Sequence, residues 1–210
     1  MSNHWEDISL DDYEKHMSLE SVGQLQMMDM MMKQQLEDYP VNTAMIFGIA
    51  GGNGLEHVRC EKYRKVYGVD INADYLSETE KRYPQLLGIL ECLNADLAGE
   101  CCKLPQAQLV IANLLIEYIG YKALQKAILQ AEPQYVSCAI QINTDTKNWV
   151  SDSPYLHAFD RLDEIHHQME DSELEQAMQE IGYKMISQVT QPLPNGKALS
   201  RLDFEKNTKR

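Results

Sequence analysis

The stretch Ile46-Phe47-Gly48-Ile49-Ala50-Gly51-Gly52-Asn53-Gly54, with Asp70 twenty positions beyond Ala50, decides the fold. Four of the chain's eleven glycines fall within positions 48–54, directly after the apolar run Ala44-Met45-Ile46-Phe47. One glycine suffices for a tight strand-to-helix turn without a ligand, which is the competing reading. A cluster of small residues lets the backbone approach a bound group closely, and a helix expected from about Gly54 would offer its free N–H groups behind the loop. Asp70 closes a second apolar run, Val66-Tyr67-Gly68-Val69. A carboxylate there can accept both hydroxyls of an adenosine ribose, so loop and acid together read as a nucleoside site. The dinucleotide spacing G-x-G-x-x-G fits no register between Gly48 and His57, which disfavours hydride chemistry.

Outward from this stretch, short apolar runs alternate with helical patterns. A helix from Asp74 to Tyr83 precedes the run Leu86-Leu87-Gly88-Ile89-Leu90, and the run Leu109-Val110-Ile111-Ala112 precedes a helix whose Leu124, Ala127, Ile128 and Ala131 share one face. Tyr135 to Ile142 reads as the next strand. Ser172 and Glu175 form a capping box ahead of Leu174, Ala177, Met178 and Ile181, and Gly182 ends that helix. Tyr183–Gln191 and Lys197–Phe204 flank Pro194-Asn195-Gly196, where Asn-Gly favours a hairpin turn. The pattern predicts a doubly wound α/β fold, with a seven-stranded, mostly parallel sheet closed by an antiparallel C-terminal hairpin. Ligands of such sheets bind at the carboxyl ends of the strands near the switch in strand order, here after Phe47, Val69, Leu90 and Ala112. Residues 9–38 read as helical: Ser9 or Asp11 caps a short helix, and a second runs from about Val22 to Leu36 before Pro40. The expected organisation is an N-terminal helical cap over 1–40, then a sheet domain over 41–210 with an insertion at 144–171.

Composition narrows the function. The chain has 210 residues and a net charge of −13, with a sequence pI near 4.8. Such a surface offers no electrostatic footprint for nucleic acid or an anionic membrane, and Lys62, Arg64 and Lys65 are too few to make a basic face. No run approaches the roughly 18 apolar residues of a membrane span, and Met1–Asp7 lacks a basic segment followed by an apolar one, so a cytoplasmic protein is expected. Cys60, Cys92, Cys101, Cys102 and Cys138 contain no C-x-x-C and are expected to be reduced and structural. No metal site is expected: the adjacent His166 and His167 would point about 100° apart on a helix, with no carboxylate at ligand spacing.

The motifs resemble those of the class I S-adenosylmethionine (SAM)-dependent methyltransferases. In that family a hydrophobic-hydrophobic-acid-hydrophobic-G-x-G-x-G motif precedes the first helix, and here it reads Ile46 to Gly54, with Gly48 in place of the acid and Ala50 in place of the first glycine. The resemblance continues through Val66 to Ile71, Asn94-Ala95-Asp96-Leu97, and Leu109 to Leu115, and covers about residues 42 to 206, the terminal hairpin included. It implies SAM as cofactor, with S-adenosylhomocysteine (SAH) as product, held by Gly48, Ala50, Gly51, Gly52, Asn53 and Gly54. It further implies that Asp70 takes the ribose hydroxyls, that Ile71 packs on adenine, and that Asp96 and Leu97 meet the adenine edge; Asp96 as a simple loop cap is the alternative. Asn113 and Leu114 fall near the methionine end, where Asn113 could equally cap the next helix. A Y-x-x-H element resembling that of small bacterial-type members would fold Tyr13 and His16 over the cofactor, replacing the anchor lost at Gly48.

The implied reaction is in-line displacement at a sulfonium methyl, for which positioning and desolvation supply most of the acceleration. Glu117 and Tyr118, after the fourth strand, and His157 are the candidate catalytic groups, although Glu117 also suits a helix start. Two segments not required by the sheet could form the acceptor pocket: the N-terminal cap, with Tyr13–Met17 and Val22–Met28, and the 28-residue connection Thr144–Asp171, which carries Trp149, Ser151, Ser153, Pro154, Tyr155, His157 and Phe159 and otherwise reads as a helical insertion with core aromatics. Tyr118, Ser153 and Tyr155 are the substrate-binding candidates. The run Met27, Met28, Met30, Met31 and Met32 would pack against the domain or line the substrate. The tetrapeptide N-P-P-Y is absent after the fourth strand, where Asn113-Leu114-Leu115-Ile116 stands, so a small-molecule acceptor is expected, with a monomeric or homodimeric enzyme. The rivals are a SAM-binding module without turnover and a nucleotide-dependent oxidoreductase.

Overall fold

The computed structural model describes residues 4–99, 103–143, 150 and 153–207, so Cys101, Cys102, Trp149 and Ser151 lie outside the described residues. Strands β1 (Thr43–Phe47), β2 (Lys65–Asp70), β3 (Leu90–Asn94), β4 (Leu109–Asn113), β5 (Tyr135–Ile142), β6 (Tyr183–Pro192) and β7 (Ala198–Lys206) form one sheet in the order β3-β2-β1-β4-β5-β7-β6. The first five are parallel, and β7 runs antiparallel between β5 and β6. Strand order reverses between β1 and β4, which pair Ile46 with Ile111 and open the crevice expected of such a reversal.

Alternation along β1 shows how the sequence builds two layers. Ala44 and Ile46 face one side, where Met32 and Leu36 of α2 (Gln24–Glu37) cover them. Met45 and Phe47 face the other, beneath Leu124 and Ile128 of α4 (Ile116–Ala131) and Leu174 and Met178 of α5 (Asp171–Glu180). Both faces of a parallel strand are buried, hence the continuous apolar runs. Helix α3 (Ala73–Arg82) starts on Asn72, whose side chain accepts from the Asp74 and Tyr75 amides. Helix α1 (Leu10–Ser18) starts on Ser9, whose Oγ accepts from Asp12 N at 3.1 Å. At the hairpin, Asn195 accepts from Lys197 N at 3.0 Å and Gly196 takes φ +80°.

Three local expectations are corrected. The helix expected from Gly54 is a single 3₁₀ turn, Leu55–His57, after which Val58 is extended. Gly54 holds φ +87°, and a Cβ there would meet Met32 Cγ at 2.5 Å: α2 occupies the face that such a helix would cover. The third strand is Leu90–Asn94 and not Leu86–Leu90, because Pro84–Leu86 form a 3₁₀ turn and Gly88 turns the chain at φ +86°. As an edge strand it is only half buried, so its true segment alternates where a continuous run drew the eye. The capping box does not form: α5 begins at Asp171 on Glu170, without a side-chain cap, and Ser172 lies inside the first turn.

Candidate functional site

Three adjoining cavities open at the carboxyl ends of β1, β2, β4 and β5. All three have Tyr13 and Leu114 in their walls. The first is lined by Asp70, Ile71, Asp96, Leu97, Gly48, Ala50, Asn113 and Tyr118, and the second by Gly48, Ala50, Gly51, Asn53, Glu14, Met28 and Met32. The third lies on the other side of Leu114, between Glu117, Gln141, Gln24, His16, His166 and Phe159.

The glycine loop is shaped by the acid that follows it. Asp70 is 9% exposed; its Oδ2 accepts from Ala50 N and its Oδ1 from Asn72 N, each at 2.9 Å. Burial raises its pKa and the backbone donors of Asn72, Ala50 and Ile71 oppose that rise, while the side chain stands in the wall of the first cavity. Ala50, where a glycine is usual, adopts φ +48°, and Leu114 at the mouth of β4 adopts φ +52°. Left-handed conformations of residues bearing a Cβ are strained, and both stand in the cavity walls. Asn113 does not cap α4; its amide exchanges hydrogen bonds with Gln35 at 2.8 and 2.9 Å, and Gln35 also donates to Ser137 Oγ at 2.8 Å.

The walls of the first cavity are closed from above by the N-terminal segment. A 3₁₀ turn at His4–Asp7 is held by Asn72 Nδ2 donating to Trp5 O at 3.1 Å, and Tyr75 Oη donates to Ile8 O at 2.8 Å. Asp7 pairs with Arg161 and His4 with Glu164, which clasps this turn to the 3₁₀ segment Leu156–Glu164. Trp5 packs edge-on to Tyr118 with ring centroids 4.9 Å apart. The Tyr13 hydroxyl is held well above its ordinary pKa by burial and by the charges of Asp70, Glu14 and Glu117, so it stays protonated.

Glu117 lies in the single turn between Leu115 and Gly120, where φ +74° at Gly120 breaks α4. It is 3% exposed; Oε1 accepts from Gln141 N at 2.9 Å, and Oε2, equally buried, accepts no protein hydrogen bond among the described residues. Burial pushes its carboxyl up to about 7. Burial likewise lowers His166 to about 4, helped by His167 and Lys197, and His16 is lowered by burial and Lys197. Both rings are therefore neutral at pH 7. His16 Nδ1 shares a 2.7 Å hydrogen bond with Ser153 Oγ, and Gln24 donates to Gln141.

No protein-family model and no curated protein sequence matches the chain. Solved structures do match. The magnesium protoporphyrin IX methyltransferase from Synechocystis PCC 6803 with bound SAH superposes with a TM-score of 0.68 at 12% identity, over 94% of each chain. A geranyl diphosphate methyltransferase in complex with SAM gives 0.64 at 9% identity, over 86% of this chain and 85% of that one. The cyclase SpnF gives 0.65 at 7% identity, over 87% and 82%. The chain has the class I SAM-dependent methyltransferase fold. At these identities the likeness is one of fold, and the cyclase shows that its members do not all carry a methyltransferase's name.

Within this methyltransferase fold, the loop, Asp70, Ile71, Asp96, Leu97, Asn113, Leu114, Tyr13 and Tyr118 come together around one crevice. Asp96 also caps its own loop, Oδ1 accepting from Ala98 N at 2.9 Å. Other candidates are separated from it. Gly52 and Gly54 face neighbours instead of a cavity: a Cβ on Gly52 would come within 2.7 Å of Tyr83. His16 lies with Glu117 in the third cavity and not beside the glycine loop. His157, its side chain 91% exposed, pairs with Asp160 at the surface and lines none of the three cavities, because it sits on the outer side of its 3₁₀ segment. Ser153 reaches the third cavity only through His16, and Tyr155 packs with Ile8 and Phe159. Met31 is buried against Ala139 and Leu199, while Met28 and Met32 also line the second cavity, so the methionine run serves both roles. Sequence reading missed Trp5 and Gln141, and it took Glu14 and Gln24 only as parts of a segment, with no role of their own. Glu14 adjoins Tyr13 in the Y-x-x-H element, and Gln141 is the last residue but one of β5, so extending the strand-end rule by one strand would have found it. Cys60, Cys92 and Cys138 carry free thiols, and among the described residues no helix is long and apolar enough to cross a membrane.

Proposed function

We propose that this protein transfers a methyl group from SAM to a small-molecule acceptor. The observation that carries the reading is the meeting of three cavities at Tyr13 and Leu114: one suits adenosine, one the amino-acid end, and one remains for an acceptor. The residues fit the cofactor. Asp70 places its carboxyl where ribose hydroxyls need acceptors, and Ile71 and Leu97 supply apolar walls for adenine. Glu14 is the one acid lining the second cavity among the described residues, so it takes the anchoring role that Gly48 cannot. Arg82 holds that carboxylate in place, pairing with it at two oxygens.

SAM, when bound, supplies a sulfonium methyl already activated for in-line displacement. Tyr13, Leu114, Trp5 and Tyr118 line both the first cavity and the third, at the junction where donor and acceptor would meet. Glu117 stands on the acceptor side, able to take a proton near neutral pH. The described residues of the cap, 4–40, and of the insertion, 150 and 153–171, close the acceptor side in this reading, and neither nucleic acid nor membrane is required.

Calorimetric titration with SAM, SAH and NAD, on the wild type and on Asp70→Ala, tests this. Micromolar binding of SAM and SAH, lost by at least about tenfold in the variant, is the expected result. Absence of SAM and SAH binding to a folded protein refutes it. Binding with no consumption of SAM against any acceptor would identify a non-catalytic SAM-binding module.

A further inference from the structure

We infer that the acceptor is a small aromatic or aliphatic amine, bound as its cation with the ammonium against Glu117. This rests on the methyltransferase reading and adds the substrate class. The third cavity has Trp5, Tyr13, Tyr118 and Phe159 among its walls, which favour an apolar body and a cation over their faces. Its polar side chains are Glu117, the Gln24–Gln141 pair, the two imidazoles and the polar ends of Tyr13, Tyr118 and Trp5. Among the described lining residues there is no lysine or arginine. Lys197, whose charge helps to keep both imidazoles neutral, is not in the wall.

Glu117 is thus the one described group in this wall that carries charge at pH 8, and its Oε2 is buried without a hydrogen-bond donor from the described protein. An isolated buried carboxylate is unfavourable, so its presence marks a position a ligand donor completes. An anionic acceptor would be repelled, and an alcohol would satisfy Oε2 without neutralising it. An ammonium does both.

The chemistry balances. The bound ammonium gives one proton to Glu117, and the freed nitrogen lone pair forms the bond to the methyl carbon. The carbon–sulfur bond breaks with its electrons remaining on sulfur, as neutral SAH. The product leaves as a methylated ammonium, and Glu117 returns its proton to solvent.

The test is calorimetry on the full chain saturated with SAH, using phenethylamine, 2-phenylethanol and phenylacetate as probes of matched size. The amine is expected to bind at least about tenfold more tightly than the other two, and Glu117→Gln to remove that preference. A second reading uses the wild type alone. At pH 6 a carboxyl with a pKa near 7 is mostly protonated, so cation binding should release close to one proton, seen by repeating the titration in buffers of different ionisation enthalpy; at pH 8.5 the release should vanish. Failure to bind SAH overturns the methyltransferase reading itself. Intact SAH binding with no amine preference, or with no proton release at pH 6, overturns the amine assignment and leaves that reading standing.

Discussion

Replacing Glu117 by Gln should make this protein more resistant to unfolding as pH rises, because the wild type keeps a poorly solvated carboxylate in its interior. The carboxyl is raised from 4.5 to about 7, with burial as the cause and hydrogen bonds from the Gln141 and Glu117 amides opposing it. A folded-state pKa above the unfolded one means that the folded state binds the proton more tightly. Its contribution is therefore neutral below the unfolded value, turns unfavourable as pH climbs from 4.5 to 7, and is constant above that. A shift of this size corresponds to about 3 kcal/mol in full, of which about 2 kcal/mol falls between pH 5.5 and pH 8. The side chain is 3% exposed, so solvent screening removes little of this. Gln can still accept from Gln141 N, but its NH₂ at the Oε2 position adds an unsatisfied donor, a fixed offset at every pH. The informative quantity is thus the slope. Urea unfolding of both proteins at several pH values and constant ionic strength should show Glu117→Gln gaining about 2 kcal/mol on the wild type between pH 5.5 and 8. Parallel stability curves, or a gain in the opposite direction, would refute the buried-carboxylate argument and with it the role of Glu117 as a proton acceptor.

Three further outcomes are expected. Ala50→Gly removes a left-handed strain of about 1–2 kcal/mol against a glycine entropy of about 0.5–1 kcal/mol, so Tm should rise by a few degrees by calorimetry; a fall would contradict the φ of +48°. Asp203→Ala strips Arg201 of its buried partner, their side chains being 4% and 6% exposed, and leaves the Ser137 hydroxyl without its acceptor; a loss of about 3–5 kcal/mol in urea unfolding is expected. Asp38 lessens but does not replace that pairing, because its own side chain is 51% exposed. Glu14→Gln should weaken SAM binding about tenfold by calorimetry while leaving Tm nearly unchanged, since Arg82 keeps Glu78; unaltered affinity would remove Glu14 from the cofactor site.

What sequence alone could and could not disclose follows from the range of the interactions. Parallel strands buried on both faces leave continuous apolar runs, and β5 was legible residue by residue as Tyr135–Ile142. The edge strand β3 was displaced because edge burial leaves an alternating signal weaker than the apolar run beside it. That Asp70, Asp96 and Leu114 line one crevice was legible because the topology opens it at the strand ends. The pairings around the third cavity were not, although both segments that line it were singled out: His16 reaches Ser153 and Gln24 reaches Gln141 across more than 100 positions, and no local spacing encodes such contacts. His157 failed for the opposite reason, since residue type alone promoted a histidine that the 3₁₀ segment turns to solvent.

The departures from the usual cofactor motif are connected. With only a 3₁₀ turn after the glycine loop, no helix N-terminus points its amides at a ligand, and the sheet face beside β1 and β2 needs another cover. Helix α2 supplies it: Met32 presses on Gly54, and the Tyr63 hydroxyl donates to Leu36 O at 2.8 Å, fastening the crossover beneath the helix. Because α1 precedes α2 by a short turn, that placement brings Tyr13 and Glu14 over the loop, Glu14 against Gly51 and Arg82. The side chain of an acid at position 48 would contend with Leu115, whose Cδ1 already lies 3.2 Å from where a Cβ would stand, in a left-handed conformation that disfavours it further. On the proposed reading the anchoring acid thus stands in the cap and not in the sheet, which ties cofactor binding to the placement of the cap. Truncating the first 20 residues should abolish SAM binding even if the sheet still folds, whereas a cofactor site built by the sheet alone would keep it.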